Sequence, residues 1–262
     1  LTKDIELLPA IVDLVDNSVD GARGLHPDGN LRGQWVKIEF GDESFTISDN
    51  SGGISVDIAR HYAFRFGRSK DFTGVKRSVG QFGVGMKRAI FKIGQAFAVQ
   101  SAFRGTPGTN DGSRFDLSVD VEEWAQQDEW TFQFGSVEES VALGPDEVAG
   151  TVISVTKLHP SVQDDLGDPA IIQALRTELR VRHQESIQSG LQLHLNSEQP
   201  LTASRPSLQA SDVVRPLVKE FQVAGAGGGT VEVKLYAGTV APPKRDKDAD
   251  PEDDGQAENF QD

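Results

Sequence analysis

Two stretches of this chain carry residue types that could handle a phosphate or the metal that accompanies it. The first is Ser78-Val-Gly-Gln-Phe-Gly-Val-Gly-Met-Lys-Arg88, where Gly80, Gly83 and Gly85 stand at G-x-x-G-x-G spacing with Lys87 and Arg88 directly behind. Glycine lets backbone N–H groups approach an anion with no Cβ in the way. The apolar run Ala89-Ile-Phe-Lys-Ile93 reads as the start of a helix, whose first amides favour phosphate. The second stretch is Asp13-Leu-Val-Asp-Asn17-Ser-Val-Asp20. On a helix, Asp13, Asn17 and Asp20 at i, i+4 and i+7 stack along one side. Such a row is either a solvated acidic face or a magnesium and water site, with Asn17 as oxygen ligand and an acid as base.

The glycine loop fits neither of two common phosphate motifs. A P-loop ends in Gly-Lys-Ser/Thr, but Met86 follows Gly85 and Lys87 comes one place late. A dinucleotide fingerprint needs a glycine where Arg88 stands. The surrounding charge nevertheless suits a polyphosphate. The net charge is −14, which excludes nucleic-acid binding through the overall field. Yet Arg60, Arg65, Arg68, Lys70, Lys76, Arg77, Lys87, Arg88 and Lys92 crowd one stretch in which Asp71 is the sole acid.

The elements that must position these residues follow from periodicity. Leu8, Ile11, Val12, Val15 and Val19 form a helical apolar stripe within Pro9–Ala22. Residues 34–40 and 44–48 alternate as a hairpin, which ends in Asp49-Asn-Ser-Gly-Gly-Ile54. That ending is either a tight turn alone or a carboxylate placed beside a flat ligand with backbone packed close to it. Residues 55–64 read as a helix capped by Ser55, and the polar segment 67–79 reads as a lid. Strands are expected at 95–103, 114–119, 130–134, 150–156 and 191–195, and a helix over 168–183 capped by Asp168 with Pro169 at its first position. Beyond Pro206, an apolar stretch at 213–223 and an alternating strand at 230–236 look like the opening of a second domain, and the acidic tail 241–262 reads as disordered.

Composition sets the outer bounds. The 262 residues are 37% hydrophobic, enough for a real core, and the absence of cysteine excludes disulfides and thiolate metal sites. No apolar run is long enough to span a membrane and no signal peptide is visible, so the expected compartment is the cytoplasm. A chain beginning at Leu1 rather than Met is expected to be a piece of something longer, ending before its second domain is complete.

Four pieces stand in order: the acid–Asn–acid helix, Asp-x-x-Gly-Gly after a strand, the glycine loop with its lid, and Gly150-Thr151 opening a late strand. This order resembles the GHKL ATPases, which include gyrase, the large heat-shock chaperones, histidine kinases and MutL. Within them the wording is most similar to the MORC ATPases through Asp13–Ala22 and Gly80–Lys87, and Gly-Gln-Phe-Gly-Val-Gly is also similar to the chaperones. The resemblance covers about residues 5 to 160. It implies an α/β Bergerat fold, a two-layer sandwich of helices on a mixed, largely antiparallel sheet over 1–205. The start of a transducer-like, S5-type domain would follow over 206–262.

The resemblance also implies roles. Asn17 would hold Mg²⁺. Asp49 would accept a hydrogen bond from the adenine amino group of ATP, with Gly53 and Ile54 against the base and Thr151 in the same network. Gly80, Gln81, Phe82, Gly83, Val84, Gly85 and Lys87 would surround the phosphates, and Ser69 and Lys70 would reach them from the lid. Asp13 stands where many members carry the catalytic Glu. Two departures matter: Ser51 replaces the first glycine of Asp-x-Gly-x-Gly, with a small expected effect, and Asp13 is shorter than Glu by about 1.5 Å. The implied activity is slow ATP hydrolysis that gates a lid and an ATP-dependent homodimer, with nucleic acid reached only through other domains and no membrane. A nucleotide-sensing module without hydrolysis and a histidine-kinase catalytic domain are the alternative readings. The five histidines, His26, His61, His159, His183 and His194, lack paired metal spacing.

Overall fold

The computed structural model describes residues 5–64, 84–105, 109–127, 131–144, 146–196, 199–204, 208–209, 215–224 and 228–240. The expected lid (67–79), Gly80 to Gly83, Trp130 and the acidic tail lie outside the described residues. The chain divides into two compact units, Leu1–Ser204 and Arg205–Asp262.

The first unit is an α/β sandwich built on a seven-stranded sheet. Its strands are β1 (Trp35–Phe40), β2 (Ser44–Asp49), β3 (Gly94–Phe103), β4 (Gly112–Asp120), β5 (Phe134–Val141), β6 (Gly150–Leu158) and β7 (Gln192–Leu195), in the spatial order β5-β4-β3-β6-β2-β1-β7. Every pairing is antiparallel except β1 with β7, so the sheet is mixed and mostly antiparallel, as a Bergerat-fold sandwich requires. The parallel pair needs a long crossover. Helices α5 (Pro160–Gly167), α6 (Pro169–Arg182) and α7 (Gln184–Gln188) supply it between β6 and β7.

Alternation decides which residues face the helices. Buried rows run through Phe45 and Ile47 of β2, Phe97 and Val99 of β3, Phe115 and Leu117 of β4, and Ile153 and Val155 of β6. Helices α1 (Leu7–Leu25) and α3 (Val84–Ile93) pack on these rows and on each other. The predicted stripe of α1 is buried at Ile11, Val12, Val15 and Val19, and the helix runs a turn further at its C-terminal end than the stripe suggested.

Several expectations shift. Ala89 to Ile93 is the end of α3, not its start, since the helix already begins at Val84. It stops because Gly94 enters β3 at once, packed so tightly that a Cβ there would stand 2.6 Å from the Thr156 carbonyl oxygen. Residues 55–64 form one α-turn, α2 (Val56–Ile58), and then a π-helical turn over Ala59–Ala63. The strand expected over 130–134 begins only at Phe134. Phe132 packs instead among Phe91, Phe97 and Trp124. A short helix, α4 (Val121–Ala125), was not foreseen; Asp120 caps it by accepting from the Glu122 and Glu123 amides. Helix α6 matches its expected bounds, with Asp168 accepting from Ala170 N–H at 2.8 Å. Among the described residues no helix is long and apolar enough to cross a membrane.

The second unit contains two antiparallel pairs, β9 (Leu217–Ala224) with β10 (Thr230–Ala237) and β8 (Leu208–Gln209) with β11 (Thr239–Val240). Of the apolar stretch 213–223, residues from Leu217 onwards lie in β9, and 213–214 lie outside the described residues.

Helix α1 is tied to the C-terminal end of α6. Arg182 donates from Nε to Asp16 Oδ1 at 3.0 Å and from Nη2 to Oδ2 at 2.6 Å. His183 is buried, with Nε2 3.6 Å from Asp16 Oδ1. Burial pushes its pKa down; Asp16 opposes this, and Arg182 and Arg23 add to it. A folded-state pKa below the unfolded value means that the unfolded chain binds the proton more readily. The stability from neutral His183 is therefore present above about pH 6.5 and is lost as pH falls towards the depressed value. Urea titrations at pH 7.5 and 5.5 should show a smaller loss of stability for His183→Phe than for wild type. Parallel losses would mean that His183 is not the titrating group.

Candidate functional site

The site begins where the core row of β2 ends. Asp49 follows Phe45 and Ile47 in the same row, so alternation carries its carboxylate into the core. Burial raises its pKa. Four contacts oppose that and favour the anion. The largest is Ser18 Oγ, which donates to Asp49 Oδ2 at 2.7 Å. The amides of Ser51 and Thr151 donate to Oδ1 at 2.9 and 3.3 Å, and the Ser51 hydroxyl adds the least. That hydroxyl makes no hydrogen bond of good geometry with any described group.

The chain after Asp49 crosses the end of the sheet, touching one strand after another. Gly52 N–H donates to the Ala149 carbonyl just before β6 at 3.0 Å. Gly53 lies against β3: a Cβ there would stand 2.1 Å from Ala102 O. Ile54 N–H donates to Ser101 Oγ of β3 at 2.7 Å, and Val56 N–H to Ser113 Oγ of β4 at 3.2 Å. Arg60 then pairs with Glu139 of β5. The left-handed conformations fall at Gly52 (φ 89°) and Gly53 (φ 73°), not at Ser51, so a serine fits that place without strain. Gly21 of α1 makes room for it, since a Cβ on Gly21 would sit 2.9 Å from Ser51 O. Gly150 allows the next close approach, because a Cβ there would be 1.9 Å from Asp49 O.

These contacts enclose a cavity of about 90 Å³. Asn17, Ser18 and Gly21 of α1, Asp49, Ser51 and Gly53 of the turn, and Thr151 of β6 line it on its polar side. Leu14, Ile54, Met86 and Ile153 give it apolar walls, the mixture that suits a flat heterocycle with a few fixed polar contacts. A larger hollow of about 190 Å³ lies among Ser118, Asp120, Trp124 and Phe132 and contains none of these groups. Asp120 there is already committed to Lys157 and to the first amides of α4.

Of the residues singled out in the sequence, Asn17, Asp49, Gly53, Ile54 and Thr151 thus line one cavity. Asp13 and Gly85 lie one residue before the cavity-lining Leu14 and Met86, and a Cβ on Gly85 would stand 3.7 Å from Asp13 Oδ2. The acid–Asn helix therefore meets the exit of the glycine loop. Val84 opens α3, a helix whose first amides have no partner within itself. Lys87 is buried, and burial lowers its pKa. Ser69, Lys70, Gly80, Gln81, Phe82 and Gly83 lie outside the described residues. Sequence reasoning missed Ser18, Ser101 and Ser113. Their signal was present: Ser101 and Ser113 occupy core parity positions, in line with Phe97 and Val99 and with Phe115 and Leu117.

A family model described as "Histidine kinase-, DNA gyrase B-, and HSP90-like ATPase" matches residues 5–142, from before α1 through β5. No curated protein matches the chain.

The close approach of Gly53 to β3 sets a mutational asymmetry. Gly53→Ala combines a positive φ with a backbone collision and should cost more than about 2 kcal/mol of stability. Gly52→Ala carries the strain of a positive φ as well but meets only the flexible end of Leu25, and should cost about 1 kcal/mol. Urea denaturation measures both, and equal costs would contradict the packing of Gly53 on Ala102.

Proposed function

Because the chain belongs to the family of histidine kinase-, DNA gyrase B- and HSP90-like ATPases, we propose that its ATP-binding domain takes Mg²⁺–ATP in the Asp49 cavity, hydrolyses it slowly and works as a nucleotide-gated switch. One observation carries the base assignment. A carboxylate oxygen accepts two hydrogen bonds. Asp49 Oδ1 takes the Ser51 and Thr151 amides, and Oδ2 takes Ser18. Since the Ser51 hydroxyl makes no hydrogen bond of good geometry, one acceptor site remains on Oδ2, at a cavity with apolar walls. It calls for a single donor, which the adenine amino group supplies. Guanine presents a carbonyl oxygen at that place, which the anion would repel.

The phosphate end follows from α1 and α3. Mg²⁺ is usually held by one or two protein oxygens, with phosphates and water completing its shell. Among the described residues no group of three or more His, Asp or Glu gathers, and Asn17 at the cavity edge fits that sparse mode, so Asn17 would hold the ion. When bound, the ion offsets phosphate charge and orients the chain of phosphates. Asp13, one turn before Asn17 and beside Gly85, would accept a proton from the attacking water. Its carboxylate is about 1.5 Å shorter than that of Glu, and a misplacement of ~1 Å costs on the order of a hundredfold, hence slow turnover. The same shortness favours the second reading, a nucleotide sensor in which ATP is a structural ligand; the histidine-kinase alternative has no such observation behind it.

Within the family we place the chain nearest the MORC ATPases, on the wording of Asp13–Ala22 and Gly80–Lys87. On this reading ATP closes a lid and joins two chains, since a triphosphate touching both pocket and lid stabilises only the closed state. The hairpin of the second unit would then open a transducer-like domain.

Calorimetry with a non-hydrolysable ATP analogue and Mg²⁺ should give one site per chain, with GTP at least about tenfold weaker. Asp49→Asn, whose amide can turn an N–H towards the base, should remove most of that preference. Equal binding of ATP and GTP by wild type would refute the adenine pocket. Asp13→Ala should abolish turnover while ATP affinity stays within about threefold, because a base acts on water and need not hold nucleotide. Turnover surviving in Asp13→Ala would remove Asp13 from the chemistry and, with binding intact, leave its role structural.

A further inference from the structure

We propose that Ser101 is a positioning residue for the base pocket: by donating to Thr151 Oγ1 it turns the Thr151 proton towards the cavity and polarises it, and so strengthens the pocket's preference for a base with an acceptor beside its amino group. The proposal rests on the adenine reading above and adds a residue that does not itself line the cavity.

Ser101 is buried at the end of the core row of β3, directly across from Thr151 in the β3–β6 register. A serine hydroxyl has one proton and two lone pairs. Ile54 N–H, at 2.7 Å, takes one lone pair. The single proton then has two possible acceptors, the Gly150 carbonyl at 3.2 Å and Thr151 Oγ1 at 3.0 Å. The carbonyl can only accept. If the proton goes there, Thr151 gives its own proton back to Ser101 and turns lone pairs towards the cavity. If it goes to Thr151, the Thr151 proton is released towards the cavity.

An acceptor atom in the cavity selects the second arrangement. The donations then run head to tail, from Ile54 N–H to Ser101, from Ser101 to Thr151, and from Thr151 to the ligand, and each polarises the next. The Thr151 amide donates to Asp49 Oδ1, so the Thr151 hydroxyl and the Asp49 carboxylate belong to neighbouring groups on one wall. They present a donor beside an acceptor. The edge of adenine offers the complement, a ring nitrogen that accepts beside an amino group that donates. Guanine reverses both. Asp49 reads the amino group, and Ser101 acts through Thr151 on the ring nitrogen.

The test compares ATP with 1-deaza-ATP, in which a C–H replaces the ring nitrogen next to the amino group. Affinities are measured by calorimetry on the full chain. Wild type should prefer ATP by about tenfold. In Ser101→Ala the preference should fall to about threefold or less, and in Thr151→Val it should disappear. The double variant should be no less selective and no more selective than Thr151→Val. A purely structural role for Ser101 would weaken both nucleotides alike and keep their ratio, which overturns the proposal. Ser101→Cys, close in size and a weaker donor, serves should the alanine variant not fold; its ratio should drop below that of wild type, and an unchanged ratio overturns the proposal. Equal binding of the two nucleotides by wild type also overturns it while the ATP reading stands. Binding of neither overturns both.

Discussion

A carboxylate carried into a protein core must be hydrogen-bonded or it will not stay charged, and Asp49 imposes that demand on the whole of this end of the sheet. It sits in the core row of β2 because alternation puts it there, behind Phe45 and Ile47. Its partners come from three directions: Ser18 from α1, Ser51 from its own turn and Thr151 from β6. Each partner requires a close approach, and glycines at 21 and 150 make two of them possible. The buried charge and the surrounding glycines are one arrangement, in which a side chain added at either position would push a donor away from the carboxylate.

The same end of the sheet repeats this logic on its neighbours. The core rows of β2, β6, β3 and β4 close on Asp49, Thr151, Ser101 and Ser113, all buried polar residues. Buried polar groups need partners: as the chain crosses the strands, Ile54 and Val56 donate backbone N–H groups to Ser101 and Ser113, and Gly52 donates to the Ala149 carbonyl. The segment thereby gains a fixed course without joining any ladder. That course leaves Gly53 and Ile54 beside the cavity and delivers the chain to the π-helical turn. Mid-helix departures of this kind are frequent at functional sites, and here the turn lies directly before the segment expected to act as a lid.

Membership of the ATPase family rests on residues 5–142, and this chain's own departures within that stretch have physical readings. Ser51 costs little because the positive φ values fall on the two glycines after it. Asp13 is the more consequential departure in the proposed role of base, because a misplacement of ~1 Å there costs on the order of a hundredfold. Its place beside Gly85 depends on α3 starting inside the glycine motif, so that the first turn of that helix faces the acid–Asn side of α1.

The sequence alone determined the parts that obey a local rule. The α1 stripe, the hairpin of β1 and β2, the long strands and the Asp168–Pro169 helix start were all legible, because periodicity and capping act within a few residues. The motif order was legible too, and with it the family. The start of α3 was not, because glycines at 83 and 85 read locally as loop while packing against α1 decides where the helix begins. The displaced β5 shows the same limit: Phe132 reads as strand by alternation, yet an aromatic cluster took it. The roles of Ser18, Ser101 and Ser113 are the clearest case. A serine is indifferent to its local structure, and only the meeting of distant segments determines whether its single proton and two lone pairs have work to do. Tertiary structure decided which polar residues line the site and which support it from behind, because hydrogen bonds between residues 31 to 102 positions apart are set by packing and by no local propensity.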